Sequence, residues 1–333
     1  MSDPVFPAID VFDAVTPQIF QEIFARARPT VLRGLVTHWP AVERGRAGPA
    51  ELRDYLKVFD AGQPVTVVEA PAATKGAFFY SDDLSGFNFS QRQASLTQAL
   101  DQIIDGVGRE GAPVAAIQML PLLSHLPGFA QANPSPLLPP QVGPRLWAAG
   151  AMRTQTHNDP DHNIACVVAG RRRFVLFPPD QVGNLYVGPP DRPPPLSLAR
   201  IEDPDFARFP KFREALDHAV EATLEPGDAV FMPRYWWHHV TSLAPFNLMV
   251  NYWWGEGARG VESPHLTFRT ALLAIKDLPA QERAYWRAMF ETYIFGDEGA
   301  GHIPPARRGA LGRLPPPQRE QFRRELLQAL LKG

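Results

Sequence analysis

The segment THNDPDHN, residues 156–163, concentrates side chains that bind metal ions. His157 and Asp159 are two positions apart, so both point to the same side of an extended strand and can reach one ion together. An imidazole and a carboxylate, joined by a third ligand from a distant strand, are typical of Fe(II) sites that keep open positions for dioxygen. The segment therefore indicates a metal centre, although the spacing H-x-D alone also fits a polar turn capped by Asn158 and Asp161.

A second pair of histidines could supply the third ligand. His238 and His239 lie in the run RYWWHHVTSL, far downstream of the first segment. Side chains alternate along a strand, so one of these imidazoles faces the interior of the fold and its neighbour faces outward. The alternation by itself does not tell which one faces inward. We expect one of the two to complete the metal site and the other to be a core or rim residue.

Three consecutive arginines in GRRRFVLFPP raise the question of a buried positive charge. On a strand Arg172 faces the opposite way from Arg171 and Arg173, so at least one guanidinium group points toward the interior. The others are expected to be ordinary solvated edge residues. A buried arginine needs an anionic partner, and the neighbouring strands offer no obvious acidic side chain. A bound dicarboxylate is a fitting partner, because arginine pairs with carboxylates through two parallel hydrogen bonds.

The whole chain has the composition of an ordinary globular protein. It has 333 residues, 45% of them hydrophobic, and a net charge of -2, which offers no general attraction for nucleic acid or anionic lipid. The one cysteine, Cys166, lies in the apolar run IACVV and is expected to pack in a strand. The N-terminal residues lack the pattern of a signal peptide, and no apolar run approaches the roughly 18 residues that cross a membrane. We therefore expect a cytoplasmic protein that binds neither membranes nor nucleic acid.

The middle of the chain has the pattern of a series of short strands. From about Val114, apolar runs rich in β-branched and aromatic residues are separated by turn signals. These runs are VAAIQ, RLWAAG, NIACVV, RFVLF, DAVFM and NLMVNYWW. Because they follow one another without helical patterns, they predict a mainly β fold built as an antiparallel sandwich or barrel. The proline-rich insertion from Gly188 to Phe212 is expected to be an ordered loop over one mouth of the barrel.

Helical patterns flank this β region on both sides. Thr16-Pro17 and Ser95 have the residue types that begin helices, and Ser263-Pro264 and Pro279 repeat the signal near the C-terminus. We therefore predict α/β elements over residues 1–113, a β core over 114–258 and a helical extension over 259–333.

The last segment, PPPQREQFRRELLQALLKG, carries an apolar stripe at helical spacing opposite its charged residues. Such a stripe requires a partner surface. Two interpretations stay open at this point: the helix docks on its own chain, or it forms a homodimer interface with a second copy.

The motif-rich part of the chain resembles a known family of enzymes. The runs THNDPDHNIACVVAGRRRFVLFPPDQVGNLY, GDAVFMPRYWWHHVTS and NLMVNYWW are similar to those of the JmjC, cupin-type oxygenases that depend on Fe(II) and 2-oxoglutarate. Within that family the pattern is similar to the group of the asparaginyl hydroxylase of hypoxia-inducible factor and of bacterial cupin-like proteins. The likeness covers roughly residues 114–254, and PTVLRGLVTHWPA also resembles the family's N-terminal signature. It implies a double-stranded β-helix, or jelly roll, at the centre of the fold.

The resemblance implies a role for each matching residue. Iron would be held by His157, Asp159 and His238, which leaves His239 without a role in the metal site. Thr154 and Arg172 match the positions that bind the remote carboxylate of 2-oxoglutarate. The other matching positions contact the cosubstrate or line its pocket, and here they are Asn163, Asn251 and Trp253.

Two departures from the family pattern concern the cosubstrate. The group with the most similar pattern has lysine where this chain has Arg172, which keeps the charge but needs more room. A tyrosine that helps to hold the same carboxylate is absent, since the strand AAIQM offers small or apolar residues and Gln118. The larger arginine could fill the space that the tyrosine leaves.

The resemblance also implies an activity. We expect a hydroxylase that uses Fe(II), 2-oxoglutarate and O2 and that acts on a protein side chain or a small molecule. Aromatic residues near the site could shield the reacting centre, although most of them are expected to be ordinary packing: Trp236, Trp237, Tyr252, Trp253 and Trp254. The alternative is a cupin without oxygenase activity, either a metal-assisted isomerase or a catalytically silent binding module.

Overall fold

The structure is a computed structural model that describes residues 4–189, 195–255, 263–296 and 299–332. The chain divides into two compact units, Met1–Gly255 and Glu256–Gly333. The predicted boundary between residues 258 and 259 lies outside the described residues, and so do residues 190–194 of the proline-rich insertion. The predicted boundary between residues 113 and 114 stays a prediction. Strands from both sides of that boundary belong to the same sheet.

The first unit is built on two β-sheets, whose strands are numbered in chain order. In the order of the sheet, the nine-stranded sheet consists of β1 (Asp10–Asp13), β2 (Thr30–Arg33), β12 (Ala229–Met232), β9 (His162–Ala169), β14 (Asn247–Trp254), β7 (Pro144–Ala149), β6 (Val114–Pro121), β3 (Val65–Ala70) and β5 (Ser90–Ala94). In the same way, the five-stranded sheet consists of β11 (Val220–Leu224), β10 (Arg172–Phe177), β13 (Trp237–Ser242), β8 (Arg153–Asn158) and β4 (Ala77–Phe78). All neighbouring strands are antiparallel except β1 with β2 and β4 with β8.

The central strand β9 shows why this sequence forms a sheet core. It lies between β12 and β14 and is buried along almost its whole length, so the run NIACVVA is apolar on both faces and does not alternate. Cys166 lies in this strand as predicted, and burial raises the pKa of its thiol well above the ordinary value.

The two sheets pack face to face through one apolar cluster, and we call the faces that meet there the inner faces. The cluster draws on strands of both sheets and includes Val31, Ala165, Val167, Phe174, Leu176, Val230, Val240 and Met249. Two mostly antiparallel sheets around one apolar layer are consistent with a jelly roll. The predicted mainly β, cupin-type fold class is confirmed.

Helices cover the outer face of the nine-stranded sheet. They are α1 (Pro17–Arg26), α2 (Pro40–Ala47), α3 (Pro49–Lys57), α4 (Leu96–Asp105) and the short α5 (Leu122–His125) and α6 (Phe129–Ala132). Both predicted starts in this region are seen: the Thr16 hydroxyl accepts a hydrogen bond from the Ile19 amide at 3.3 Å, and Ser95 forms a reciprocal capping box with Gln98. Residues of α1 to α6 pack with the sheet in the largest apolar cluster.

The described part of the proline-rich insertion lies against the outer face of the five-stranded sheet. Ala199, Ile201 and Phe209 pack there with Val175 and Trp237, and the insertion ends in helix α7 (Phe212–Asp217). The sequence predicted a loop over the mouth of the barrel, whereas these residues cover the side of it.

The second unit consists of helices α8 (Pro264–Ala274), α9 (Ala280–Phe290) and α10 (Pro316–Lys332), with a π-helical turn at Glu291–Phe295 after α9. Pro264 is the first residue of α8 as predicted, and Pro279 is the residue before the first turn of α9. Helices α8 and α9 contain no buried residue. Within the described residues, none of the helices combines the length and the apolar character that spanning a bilayer requires.

Candidate metal centre

The histidines of the two sequence clusters meet across neighbouring strands. His157 on β8 is the direct partner of His238 on β13, and their ring centroids are 4.3 Å apart. His238 is also paired with Leu176 of β10, an inner-face residue, so both imidazoles belong to the inner face. With Asp159 they form a group in which one ligand atom from each residue lies within 4.8 Å of the others. The predicted convergence of these side chains is therefore seen.

Both imidazoles are held in the tautomer that a metal requires. His157 Nδ1 lies 2.8 Å from the Gln155 carbonyl, and His238 Nδ1 lies 3.1 Å from the Trp236 carbonyl. A carbonyl can only accept, so each Nδ1 carries the hydrogen and each Nε2 keeps a free lone pair. Burial, and then the neighbouring imidazole of His238, lower the pKa of His157 to about 4. At neutral pH a metal ion therefore meets an imidazole with no proton to displace.

Asp159 is held in place by a chain of amide side chains from the nine-stranded sheet. Asn163 on β9 donates from Nδ2 to Asp159 Oδ2 at 3.3 Å, and Asn251 on β14 donates to Asn163 Oδ1 at 2.9 Å. The backbone oxygen of Asp159 also accepts from the Tyr235 amide. Asp159 Oδ2 lies 3.7 Å from His238 Nε2. Carboxylate ligands of metals are commonly oriented by such outer hydrogen bonds.

A β-bulge explains how Thr154 comes to share a face with His157 although the two are three residues apart. Thr154 is paired with Val240 and His157 with His238, so two residues of β8 stand opposite the single residue His239. The extra residue shifts the alternation of β8 by one position. Thr154 thus takes the row of Val240, which belongs to the inner cluster. Simple alternation from His157 would have placed Thr154 on the outer face.

Arg172 is the arginine of the triplet that points inward. It lies on the same side of β10 as Phe174 and Leu176, is 3% exposed, and is paired with Ser242 of β13. Its Nε and Nη2 atoms and the Ser242 hydroxyl are buried and have no hydrogen-bond partner among the residues that the structure describes. Burial lowers the pKa of Arg172 to about 10, so the group stays charged at neutral pH. An unpaired cation of this kind fits an anionic ligand that enters the barrel.

His239 faces the other way and belongs to a different cluster. Its Nε2 lies 3.0 Å from Glu202 Oε1 of the insertion, and Arg153 Nε lies 3.9 Å from the same oxygen. His239 is paired with Val175, which packs on the outer face of the five-stranded sheet. The two adjacent histidines are thereby divided between the metal group and a buried contact that fastens the insertion.

The aromatic residues near the second histidine pair are also divided between the inner face and the outer faces of the sheets. Trp237 packs with the insertion, and Tyr252 and Trp254 pack in the cluster beneath the N-terminal helices. Trp253 is paired with Asn163 and lies on the inner face beside the metal group. Most of the five residues are therefore ordinary packing, as expected.

Two inner-face residues of β7 were not found by the sequence reasoning. Trp147 is paired with Met249 and meets Trp253 edge to face, with ring centroids 5.9 Å apart. Arg145 is paired with Asn251 and stacks on Trp253. The strand RLWAAG was predicted, and alternation along it was the one signal that could have assigned Arg145 and Trp147 to a common face.

Comparison with known proteins agrees with this fold. Residues 16–259 match the family described as a cupin-like domain. The chain therefore belongs to the cupin-like, JmjC-type domain family, whose members generally use Fe(II) and 2-oxoglutarate.

Several named relatives share part of the chain. The lysine-specific demethylase JMJ31 of Arabidopsis thaliana is 38% identical over 117 residues, which are 33% of this chain and 20% of that protein. HSPB1-associated protein 1 of Homo sapiens is 42% identical over 93 residues, 27% of this chain and 19% of the relative. The Jumonji C domain-containing protein 5 of Drosophila melanogaster is 28% identical over 264 residues, 74% of this chain and 59% of the relative. The matched region thus spans about a fifth of the length of the first two relatives and less than two thirds of the third.

Proposed function

We propose that the chain is an Fe(II)- and 2-oxoglutarate-dependent oxygenase that hydroxylates a protein side chain or a small molecule. The observation that carries the proposal is the combination of a metal-type group at His157, Asp159 and His238 with the buried, unpaired guanidinium of Arg172 on the same inner face. One carboxylate and two imidazoles suit iron in this class of oxygenase, and the cation suits a dicarboxylate cosubstrate. A metal site without a cosubstrate would leave Arg172 unexplained.

The donor set and the buried polar atoms fit the groups that the family uses. When bound, iron and 2-oxoglutarate supply the oxidation: one oxygen atom of O2 enters succinate as the cosubstrate loses carbon dioxide, and the other enters the substrate as a hydroxyl group. Three side chains would hold the metal: His157 and His238 from the neighbouring strands β8 and β13, and Asp159 from the segment that follows β8.

The remaining residues of the chain would bind and orient. Arg172, with the Ser242 hydroxyl beside it and Thr154 one row nearer the metal group, would hold the remote carboxylate of 2-oxoglutarate. Asn163 would keep Asp159 in position through its 3.3 Å hydrogen bond. Trp253 would limit access of water from the side of β14. The small Ser242 next to Arg172 in this buried row would leave room for the arginine that replaces the family's lysine.

We propose a protein side chain or a small molecule as the substrate. One of the relatives, JMJ31, is named a lysine-specific demethylase, which makes a protein side chain one candidate. The net charge of -2 gives no general attraction for a nucleic acid, and we place the protein in the cytoplasm without a membrane partner.

A direct assay of cosubstrate turnover tests the proposal. The protein, prepared without oxygen and loaded with Fe(II), is exposed to air with 2-oxoglutarate labelled at C1, and labelled carbon dioxide is collected. We expect release above the level of free Fe(II), and we expect Asp159→Ala to lose it while His162→Ala retains it. His162 is a suitable control because it lies in the same motif but packs among Phe24, Phe231 and Trp254. Protein that contains iron but releases no carbon dioxide, even with broad mixtures of peptides and metabolites, would favour the cupin without oxygenase activity.

A further inference from the structure

Arg145 places a second positive charge inside the barrel, on the sheet opposite Arg172. It lies on β7 and is the direct partner of Asn251 on β14. Asn251 is hydrogen bonded to Asn163, which in turn bonds Asp159. Partners across a strand pair share a face, so Arg145 belongs to the row of inner-face residues that leads to the metal group.

The position of the Arg145 side chain is fixed by aromatic rings and not by an acid. Its guanidinium carbon lies 5.4 Å from the centre of the Trp253 ring, and Trp253 is held edge to face by Trp147 at an interplanar angle of 83°. Within the parts of the chain that the structure describes, the Arg145 side chain makes neither an ion pair nor a hydrogen bond. It is only partly buried, so part of the group is accessible from outside.

The polar atoms around Arg145 are also without partners. Asn251 Oδ1, Trp147 Nε1 and Trp253 Nε1 are buried, and none of them has a hydrogen-bond partner in the described part of the chain. Buried polar groups are normally satisfied, so a cluster of unsatisfied donors and acceptors beside an unpaired cation indicates a place for a ligand. A ligand there could accept from the indole groups and from Arg145.

The charges of the proposed site leave Arg145 in excess. The iron with Asp159 carries one net positive charge, and Arg172 adds a second, so the two charges of 2-oxoglutarate neutralise both. Arg145 is then one uncompensated positive charge beside a site that is otherwise neutral. One further negative charge would neutralise Arg145. Both charges of 2-oxoglutarate are already paired with the iron group and Arg172, so this charge must come from another molecule.

We propose that Arg145 binds a carboxylate group of the primary substrate, so that the enzyme selects a molecule with an acidic group close to the carbon that is oxidised. This inference rests on the proposed function, because the charge balance assumes iron and 2-oxoglutarate. A carboxylate fits better than a phosphate, since it carries one charge and matches the planar guanidinium through two parallel hydrogen bonds. The carboxylate could belong to an acidic residue of a peptide or to a small organic acid.

Binding of matched charged and neutral probes tests the inference. The protein is loaded with Mn(II), which does not support turnover, and with saturating 2-oxoglutarate, and probes are titrated while tryptophan fluorescence is followed. One pair is the capped tripeptide Ala-Asp-Ala and its counterpart Ala-Asn-Ala; the other is 3-phenylpropionate and 3-phenylpropionamide. We expect the charged member of at least one pair to bind about ten times more tightly or better, as a charge-assisted hydrogen bond would give. The pair that discriminates tells whether the carboxylate comes from a peptide or from a small molecule.

Three variants assign the preference to a residue. Arg145→Gln should bring the charged and neutral probes to within about twofold of each other, and Arg145→Lys should restore part of the preference because the charge returns without the planar geometry. Arg109→Gln is the matched control, since Arg109 is an arginine at an exposed position. Thermal unfolding of each variant shows whether the fold is kept.

The outcomes separate this inference from the proposed function. Arg145→Gln should leave the affinity for 2-oxoglutarate within about twofold of wild type, whereas replacement of Arg172 should abolish it. Equal binding of both members of each pair by wild type, including no binding at all, overturns the role of Arg145. So does a loss of 2-oxoglutarate binding in Arg145→Gln, which would make Arg145 a cosubstrate residue. Failure of the wild type to bind 2-oxoglutarate or to release carbon dioxide would instead count against the proposed function.

Discussion

His157 and His238 stand directly opposite each other on antiparallel neighbouring strands, and each donates from Nδ1 to the carbonyl of the residue two positions before it. The same local device therefore acts twice, once on β8 and once on β13. It turns both Nε2 atoms toward the inner face, where the rings are 4.3 Å apart between centroids. The strand pairing thus builds two thirds of a metal site before any ion is bound, which is the kind of preorganisation that metal sites require.

The first prediction concerns metal content. His157→Ala and His238→Ala should each reduce bound Fe(II) or Mn(II) from about one ion per chain to a small fraction, because two protein ligands do not hold such an ion in competition with water. Metal content measured by elemental analysis after gel filtration checks this. His162→Ala should keep its metal, because that ring packs among aromatic residues. Unchanged metal in His157→Ala would mean that the site lies elsewhere.

Much of this site could be predicted from residue types and spacing. The separation of two between His157 and Asp159 was sufficient to predict that both could reach one ion, although Asp159 lies just after the last residue of β8. The choice between His238 and His239 was not, since it depends on which residues of β10 stand opposite them: Leu176 faces the interior, and Val175 faces the insertion. Alternation along a strand shows only that adjacent side chains point to opposite faces of the sheet. The pairing with a neighbouring strand shows which of the two faces is the interior one.

Other features of the site depend on irregularities that no period reveals. The extra residue in β8 between Thr154 and His157 reverses the phase of the strand, and the local sequence contains no marker for it. Arg145 was missed for a different reason. A single arginine in a short strand is ordinarily a surface residue, and its relation to Trp253 appears only when β7 and β14 are paired.

A second prediction concerns the residue that holds Asp159. Asn163→Ala should weaken Mn(II) binding by about 10-fold to 100-fold, because the carboxylate loses the hydrogen bond that orients it. Titration of the metal-free protein with Mn(II), followed by calorimetry, measures the effect. Asn158→Ala is the control, since the Asn158 amide bonds the Tyr235 carbonyl at 3.4 Å and not the metal group. Equal affinities for wild type and Asn163→Ala would show that Asp159 orients itself without help.

The third prediction is that replacement of Arg172 weakens cosubstrate binding but stabilises the ligand-free fold. Arg172→Met should abolish binding of 2-oxoglutarate, and it should also raise the free energy of unfolding of the ligand-free protein by about 1–4 kcal/mol, because it removes an unpaired buried charge and keeps the volume. Calorimetric titration and urea unfolding measure the two parts. Arg109→Met, at an exposed position, should change neither.

The stabilising effect of Arg172→Met should also depend on pH. Burial lowers the pKa of Arg172 to about 10, below its value in the unfolded chain. The charged form therefore destabilises the fold below about pH 10, and this cost declines as the pH rises from 10 toward the higher pKa of the unfolded chain. The difference in stability between wild type and Arg172→Met should accordingly narrow above pH 10. A difference that is constant up to pH 11 would show that the guanidinium has a partner in solution.

A fourth prediction concerns the contact that fastens the insertion. Glu202→Gln should lower the free energy of unfolding at pH 7 by about 1–3 kcal/mol, because the buried imidazole of His239 loses its charged partner. Burial alone would raise the pKa of Glu202, but the contact with His239 lowers it to about 2. A folded pKa below the unfolded one means that the carboxylate stabilises the fold above about pH 4.5 and that this is lost as the pH falls toward 2. Urea unfolding should show a smaller difference between wild type and Glu202→Gln at pH 3 than at pH 7. The same difference at both pH values would contradict a stabilising role of the charged carboxylate.

The fifth prediction concerns the second unit, for which we propose that α10 forms a homodimer interface. Its apolar side chains are exposed in the single chain and form a stripe along one helix: Phe322 42%, Leu326 40%, Leu327 44%, Leu330 51% and Leu331 85%. An exposed stripe of this size is unfavourable in water at about 25 cal/mol for each Å² left uncovered, so a second copy of the same stripe is a suitable partner. Leu326→Glu with Leu330→Glu should convert dimers to monomers in sedimentation equilibrium. Arg324→Glu, which alters charge at a residue 68% exposed without touching the stripe, is the control. A wild-type protein that sediments as a monomer at all concentrations up to about 100 μM, a range in which even weak interfaces form dimers, would contradict the interface.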